Sequence, residues 1–390
     1  MNYNPDDKVY QADDHIYSIN DLLRSALDPE YVANGMPRIS DFHIKVGQTV
    51  RFRLDDDLQA IPNGAIVTQE IAERLIYPLL SEKHVKKMKE DVLVDVDAGY
   101  ELVEDQYSFR INAFRDRDGI AATIRLLPKH VPDVSEVGFP TEGLAEELVH
   151  LKRGLVLVTG ITGSGKSTTI ASLINAINRQ RPVRIITLED PIEYMFDSEA
   201  SLISQREVGE HVDSFSRGLF SALRENPDVV YVGEMRDIET ASLALTAAET
   251  GHLVFSTLHT RDCVGAITRI IDMYPPEREK EITTQLSFSM DYVISQKLVP
   301  RIHGDGRLVA MEVMRNSTGI SNLLRTGKWH QLYSIMETKS GEGMITMEQC
   351  LLDLYEQGYI SREDAILYAN RDEIVGRLPP PDMGKKKKRR

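Results

Sequence analysis

The sequence predicts an α/β protein of two domains, the second built on a parallel sheet. Three observations carry that expectation. From residue 141 onward LVLVTG, a glycine-rich loop, TTIASLINAINRQ and VRIITLED follow one another, the strand, loop, helix, strand order of a parallel sheet crossed by helices. Before residue 128, shorter stretches alternate as strands do around one helical block, as a small separate α/β fold would. Between the two, Pro128, Pro132 and Pro140, with Gly138, interrupt both periodicities, because proline neither joins a sheet ladder nor continues a helix.

Taken in order, the opening MNYNPDDKVYQADD is acidic where a signal peptide is basic and then apolar, so export is not expected, and residues 1–17 are expected to be a flexible acidic N-terminus. SDFHIKVG and TVRFRLDDDLQAI then alternate as strands, and GAIVTQEIAERLIYPLLSEKHVKKMKE has helical spacing. YSFRINAFRDRDGIAATIRLLP alternates on both sides of Asp118-Gly119, a hairpin signal that puts Arg110 and Arg125 on neighbouring strands. The expected N-terminal domain is 18–127, followed by a hinge-like linker at 128–140. In the second half the apolar runs DVVYVGE and HLVFSTLHT follow the helical FSRGLFSALREN and IETASLALTAAET, so at least four core strands are expected. Past about residue 315 the pattern is helical, which makes 141–375 a sheet domain with a helical C-terminal extension. The last stretch, 376–390, reads as a disordered basic tail.

Composition narrows the class. The chain's 390 residues are 42% hydrophobic and 27% charged, which suits two globular cores and excludes a fibrous or wholly disordered chain. No run approaches the roughly 18 apolar residues of a spanning helix. Cys263 and Cys350 are too few and too far apart for a zinc site or a disulfide framework, so a cytoplasmic location is expected. The formal charge is −14, and because the six residues from Lys385 to Arg390 are all basic, residues 1–384 carry −20. Such a body repels nucleic acid at long range, and no nucleic-acid partner is expected.

Gly160-Ile-Thr-Gly-Ser-Gly-Lys-Ser167 matches GxxxxGK[ST] in full, directly after an apolar strand and directly before a helix. Glycines let the backbone turn its N–H groups toward phosphate oxygens, and the helix adds its positive N-terminal end. Gly160, Thr162, Gly163, Ser164, Gly165, Lys166, Ser167 and Thr168 are therefore the expected ATP-binding residues, with Lys166 on the β and γ phosphates and the Ser167 hydroxyl on Mg2+. Hydrolysis also needs carboxylates. Glu234 ends the buried run DVVYVGE, where it either reaches the Mg2+ water shell or caps the next helix. Glu189, Asp190 and Glu193 end a second strand; one of them positions the attacking water, or the EDPIE turn is a plain strand exit. His252 and His259 flank LVFSTL, as structural imidazoles or as phosphate sensors.

In their order, GITGSGKSTT, ITLEDPIEY, SQREVG, ALRENPDVVYVGEMRDIET and LTAAETGHLVFSTLHT resemble the type II/IV secretion ATPase superfamily, from about residue 18 to 370. The resemblance implies a PAS-like N-terminal domain and a RecA-like P-loop NTPase domain. It implies Lys166 and Ser167 as the Walker A pair, Glu234 as the Walker B glutamate, and Glu193 as the catalytic base. His252 and His259 match the family's His box, with a phosphate-linked role for His259, and Arg110 and Arg125 match two arginines that reach the nucleotide. It further implies a homo-hexamer docked on an inner-membrane pilus platform protein, with other pilus ATPases as further partners. Having neither an additional N-terminal domain nor a four-cysteine motif, the chain is similar to the type IV pilus retraction (twitching motility) branch. It departs from that branch at Ser321, in Gly319-Ile-Ser-Asn-Leu-Leu324, where the family motif has arginine. An accessory retraction motor or a motor of another secretion system stays open, as do a RecA-like nucleic-acid translocase and a scaffold that has lost hydrolysis.

Overall fold

The structure is a computed structural model describing residues 3–33, 36–55, 57–90, 95–102, 107–127, 131–303, 306–339 and 342–378. It divides into two compact units, one of Met1–His130 with Asp190–Met195 and Glu207–His211, the other of the remaining chain. Both are α/β. Among the described residues no helix is long and apolar enough to cross a membrane.

The first unit carries a six-stranded antiparallel sheet. Its strands are β1 (Ile39–Lys45), β2 (Arg51–Leu54), β3 (Asp57–Ala60), β4 (Val96–Leu102), β5 (Tyr107–Asp116) and β6 (Gly119–Leu127), in the order β3-β2-β1-β6-β5-β4. The expected hairpin is β5 and β6, and Arg110 stands directly opposite Arg125. The expected helical block is two helices, α1 (Gln69–Ile76) and α2 (Glu82–Glu90), separated by a 3-10 turn over Tyr77–Leu79. Pro78 sits in that turn and accounts for the break, having no N–H to continue the ladder. The expectation of a flexible 1–17 is corrected in the described residues: Tyr10–Ala12 pairs with His15–Tyr17. Tyr10 is fully buried, and its hydroxyl accepts from the Val50 N–H at 3.1 Å. A buried side chain with a satisfied hydroxyl makes the stretch part of the core.

The second unit is a seven-stranded sheet. Its strands are β7 (Gly154–Thr159), β8 (Arg184–Glu189), β9 (Leu202–Glu207), β10 (Val229–Val232), β11 (Leu253–Leu258), β12 (Met290–Pro300) and β13 (Arg307–Arg315), ordered β9-β8-β10-β11-β7-β12-β13. From β8 to β12 neighbours run parallel, and β13 returns antiparallel. Strands β7, β10 and β11 are buried along their whole length, as central strands covered on both faces are. The helix after β7, α3 (Lys166–Gln180), buries Ile170, Leu173, Ile174 and Ile177, each contributing about 2 kcal/mol.

Strands β4, β9, β12 and β13 are additions to the expected set. The β12–β13 hairpin escapes an apolar-run reading because Ser295, Gln296 and Glu312 are polar yet buried. Beyond β13 the described chain is helical from Thr318 to Arg377. Leu378 packs in the core of this unit, so residues 376–378 belong to the fold rather than to a tail, while 379–390, with the basic block, lies outside the described residues.

Candidate functional site

Strand β7 runs buried into the loop 160–165 and α3 begins at Lys166. Gly165, at the helix start, has φ +88, a conformation glycine enters without a Cβ penalty. Being glycine, it makes no side-chain cap on α3, and the helix start points its positive end at the loop, as anion sites at helix N-termini do. Lys166 Nζ donates to the carbonyls of Gly160 at 2.8 Å and Ile161 at 3.1 Å, placing the ammonium across the loop. Thr162 and Gly163 are exposed, Ser167 and Thr168 half-buried, and Ser164 is buried.

Two neighbouring strands bring the next groups to the same edge. Because β10, β11 and β7 are adjacent and parallel, the residues just past their carboxyl ends converge, as ligand sites in open α/β sheets do. Glu234 follows β10 and His259 follows β11, and His259 Nε2 lies 3.3 Å from Glu234 Oε2. Arg236 Nε donates to the same oxygen at 2.9 Å. The backbone around Glu234 is anchored by Gly233 N–H to Leu188 O at 2.7 Å and Met235 N–H to Thr257 O at 3.2 Å. Thr159 Oγ1 donates to the Thr260 carbonyl at 3.0 Å, tying the start of the phosphate loop to the residue after His259.

His252 stands apart. It precedes β11, at the amino end of the strand, and its Nδ1 lies 3.0 Å from Ala247 O at the close of the preceding helix. At a rise of roughly 3.3 Å per residue over seven residues it is roughly 23 Å from His259. The two histidines thus stand at opposite ends of β11, as their flanking of LVFSTL implies.

The three acids after β8 separate by environment. Glu189 is buried, and its Oε1 accepts from Thr187 Oγ1 at 2.6 Å and Gln205 Nε2 at 3.2 Å, so that oxygen is already engaged. Glu193 clusters with the first unit, is a third exposed, and lies 3.5 Å from Arg110 Nη1. Arg125 Nε donates to Asp41 Oδ1 at 2.8 Å. Like charges directly opposite on a sheet repel, and Glu193 and Asp41 offset that repulsion between Arg110 and Arg125. Arg236, Asp41 and the Thr159–Thr260 bond were absent from the sequence reading, since none belongs to a contiguous motif.

The donor set suits a phosphorylated ligand. Glycine backbone, one ammonium and the oxygens of Ser167 and Glu234 match a nucleotide with a hard divalent cation, which takes oxygen ligands and keeps much of its water. Among the described residues no group of three or more His, Cys, Asp or Glu could hold a metal ion.

Residues 30–358 match the family model of Type II/IV secretion system proteins. The chain is 42% identical over 326 residues to the type IV pilus retraction ATPase PilT of Pseudomonas aeruginosa, covering 84% of this chain and 93% of that protein. It is 41% identical to a twitching motility protein of Neisseria gonorrhoeae, covering 92% of each. Among solved structures, that of the pilus retraction motor PilT with bound ADP superposes with a TM-score of 0.82 at 41% identity, covering 92% of this chain and 98% of that one. The ATPase DotB of Legionella pneumophila does so with a TM-score of 0.77 at 26% identity, over 97% and 100%.

Proposed function

Because the chain belongs to the family of Type II/IV secretion system proteins, we propose that it is an ATP hydrolase that powers type IV pilus retraction and twitching motility. The observation that carries the reading is the contact of His259 with Glu234 past the carboxyl ends of β11 and β10, beside the strand β7 that leads into the phosphate loop and Lys166. ATP is the substrate. The loop from Gly160 to Thr168 cradles its phosphates through backbone N–H groups, and Lys166 leaves its two loop carbonyls for the β and γ oxygens. Mg2+, held by Ser167 and, through water, by Glu234, would neutralise charge on the phosphates.

Around that centre, Glu193 orients the attacking water and takes its proton, and His259 contacts the γ phosphate while holding Glu234 in place. Arg110 and Arg125 bring positive charge to the phosphates from the N-terminal domain, 18–127, which the linker 128–140 joins to the ATPase domain, 141–375. Arginine placed where charge develops stabilises the transition state most. The working form is a homo-hexamer in the cytoplasm, bound at the inner membrane to a pilus platform protein. A motor for another secretion system is favoured by one feature: the Ser321 hydroxyl lies 2.9 Å from each of Ser287 O and Asn316 Oδ1, with one hydrogen to share between them, where the retraction branch has an arginine.

The test compares wild type with Glu193→Gln for Mg2+-dependent phosphate release and native mass. Turnover by a hexameric wild type, with an assembled but inactive variant, supports both the motor and the base. A wild type that binds ATP as a monomer without hydrolysing it overturns the motor reading.

A further inference from the structure

We propose that Gln296 is a positioning residue of the phosphate loop, fixing the peptide between Ser164 and Gly165 so that the Gly165 N–H faces the phosphates. The inference rests on the nucleotide reading above. Strand β12 lies parallel to β7 with Ser295 level with Thr159, so Gln296 arrives beside the first loop residue. It is fully buried, and its Nε2 donates to the Ser164 carbonyl at 2.7 Å. In a trans peptide the C=O and the following N–H point in opposite directions. Holding the Ser164 oxygen toward β12 therefore turns the Gly165 N–H away from β12, into the cradle.

Two further observations favour a bond to the loop over a packing role. A Cβ on Gly165 would stand 3.1 Å from Gln296 Nε2, and one on Gly160 would stand 2.5 Å from the Gln296 carbonyl oxygen. Both loop glycines thus meet this one residue at close approach. Gln296 Oε1 is buried without a hydrogen-bond partner among the described residues. An unpaired buried amide oxygen costs stability, and a methionine would fill the space without that cost. The carboxamide is explained by the donor it supplies.

The experiment uses the full chain with Gln296→Met and Gln296→Glu, and Lys166→Ala as the non-binding control. Measured are the ADP dissociation constant, the KM and kcat for ATP, and the Tm without nucleotide. Gln296→Met should weaken ADP on the order of tenfold, with a matching rise in KM, and keep the wild-type Tm. Gln296→Glu should weaken it further, since a carboxylate cannot donate and repels phosphate. ADP binding within about twofold of wild type by folded Gln296→Met overturns the inference, whatever its Tm, and failure of both variants to fold overturns it by making Gln296 a packing residue. A wild type that does not bind ADP instead removes the nucleotide reading, and the inference with it.

Discussion

Glu312 should make the second unit lose stability as pH rises through neutrality, and Glu312→Gln should remove that dependence. The carboxylate is 1% exposed on β13, accepting from the Cys263 N–H at 2.7 Å and the Met347 N–H at 3.4 Å. Burial pushes its pKa from 4.5 up to about 7, against the lowering effect of the Cys263 N–H, and the nearby acids Asp262 and Glu348 push the same way as burial. The cation facing this cluster is Lys297, itself shifted down by burial. A carboxyl whose folded pKa is raised keeps its proton in the fold while the unfolded chain has lost it. Its stabilising contribution is therefore complete below pH 4.5, declines as pH rises, and is gone above about 7. At 1.36 kcal/mol per pKa unit, the loss between pH 5 and 8 is about 2.5 kcal/mol. For a unit of this size that is about 5 to 10 °C in Tm. The assay is thermal unfolding of wild type and variant from pH 5 to 8, following the transition that saturating ADP raises at pH 7. A constant offset between the two proteins reflects only the altered hydrogen bonds. Curves that stay parallel across the range would refute the reasoning, because the titrating group would then not be Glu312.

Two other substitutions separate binding from support. Gly160→Ala should cost at least about tenfold in ADP affinity by calorimetry, because its Cβ would overlap Ser164 Oγ and the Gln296 carbonyl at φ +151; the transition insensitive to ADP should not move. Arg125→Ala should lower that ADP-insensitive transition as well as turnover, since it leaves Asp41, 5% exposed, without its guanidinium, a loss of about 1–3 kcal/mol in scanning calorimetry. Arg110→Ala, whose partner Glu193 is a third exposed, should reduce phosphate release while leaving both transitions in place.

The phosphate loop was legible because its chemistry needs contiguous residues, and the hairpin because Asp118-Gly119 carries its own turn signal. Glu234 could be placed from the buried run before it. Legibility failed where burial and polarity part company. Strand β9 is LISQRE and mostly half-buried, while β12 and β13 hide Ser295, Gln296 and Glu312 inside the core, so neither the apolar-run nor the alternation template matches. In the acidic start, Tyr10 and Ala12 face inward with Gln11 between them exposed, too short a pattern to outweigh its charge. The two histidines flanking LVFSTL are legible as standing at opposite ends of one strand, which Leu253–Leu258 is.

What remained hidden has a common cause, which is strand order. Glu234 and His259 meet, on strands next to the one that leads into the phosphate loop, because β10, β11 and β7 are neighbours, an order in which chain-distant strands lie side by side. The phosphate loop emerges between β11 and β12 and is held from both sides, by the Thr159–Thr260 bond on one and by Gln296 to Ser164 on the other. Each bond joins residues about a hundred or more positions apart, where no motif spacing reaches. A loop whose glycines leave it without side-chain caps of its own takes its shape from those neighbours. Substitutions on β12 should therefore alter nucleotide affinity even though no residue of β12 belongs to the phosphate motif.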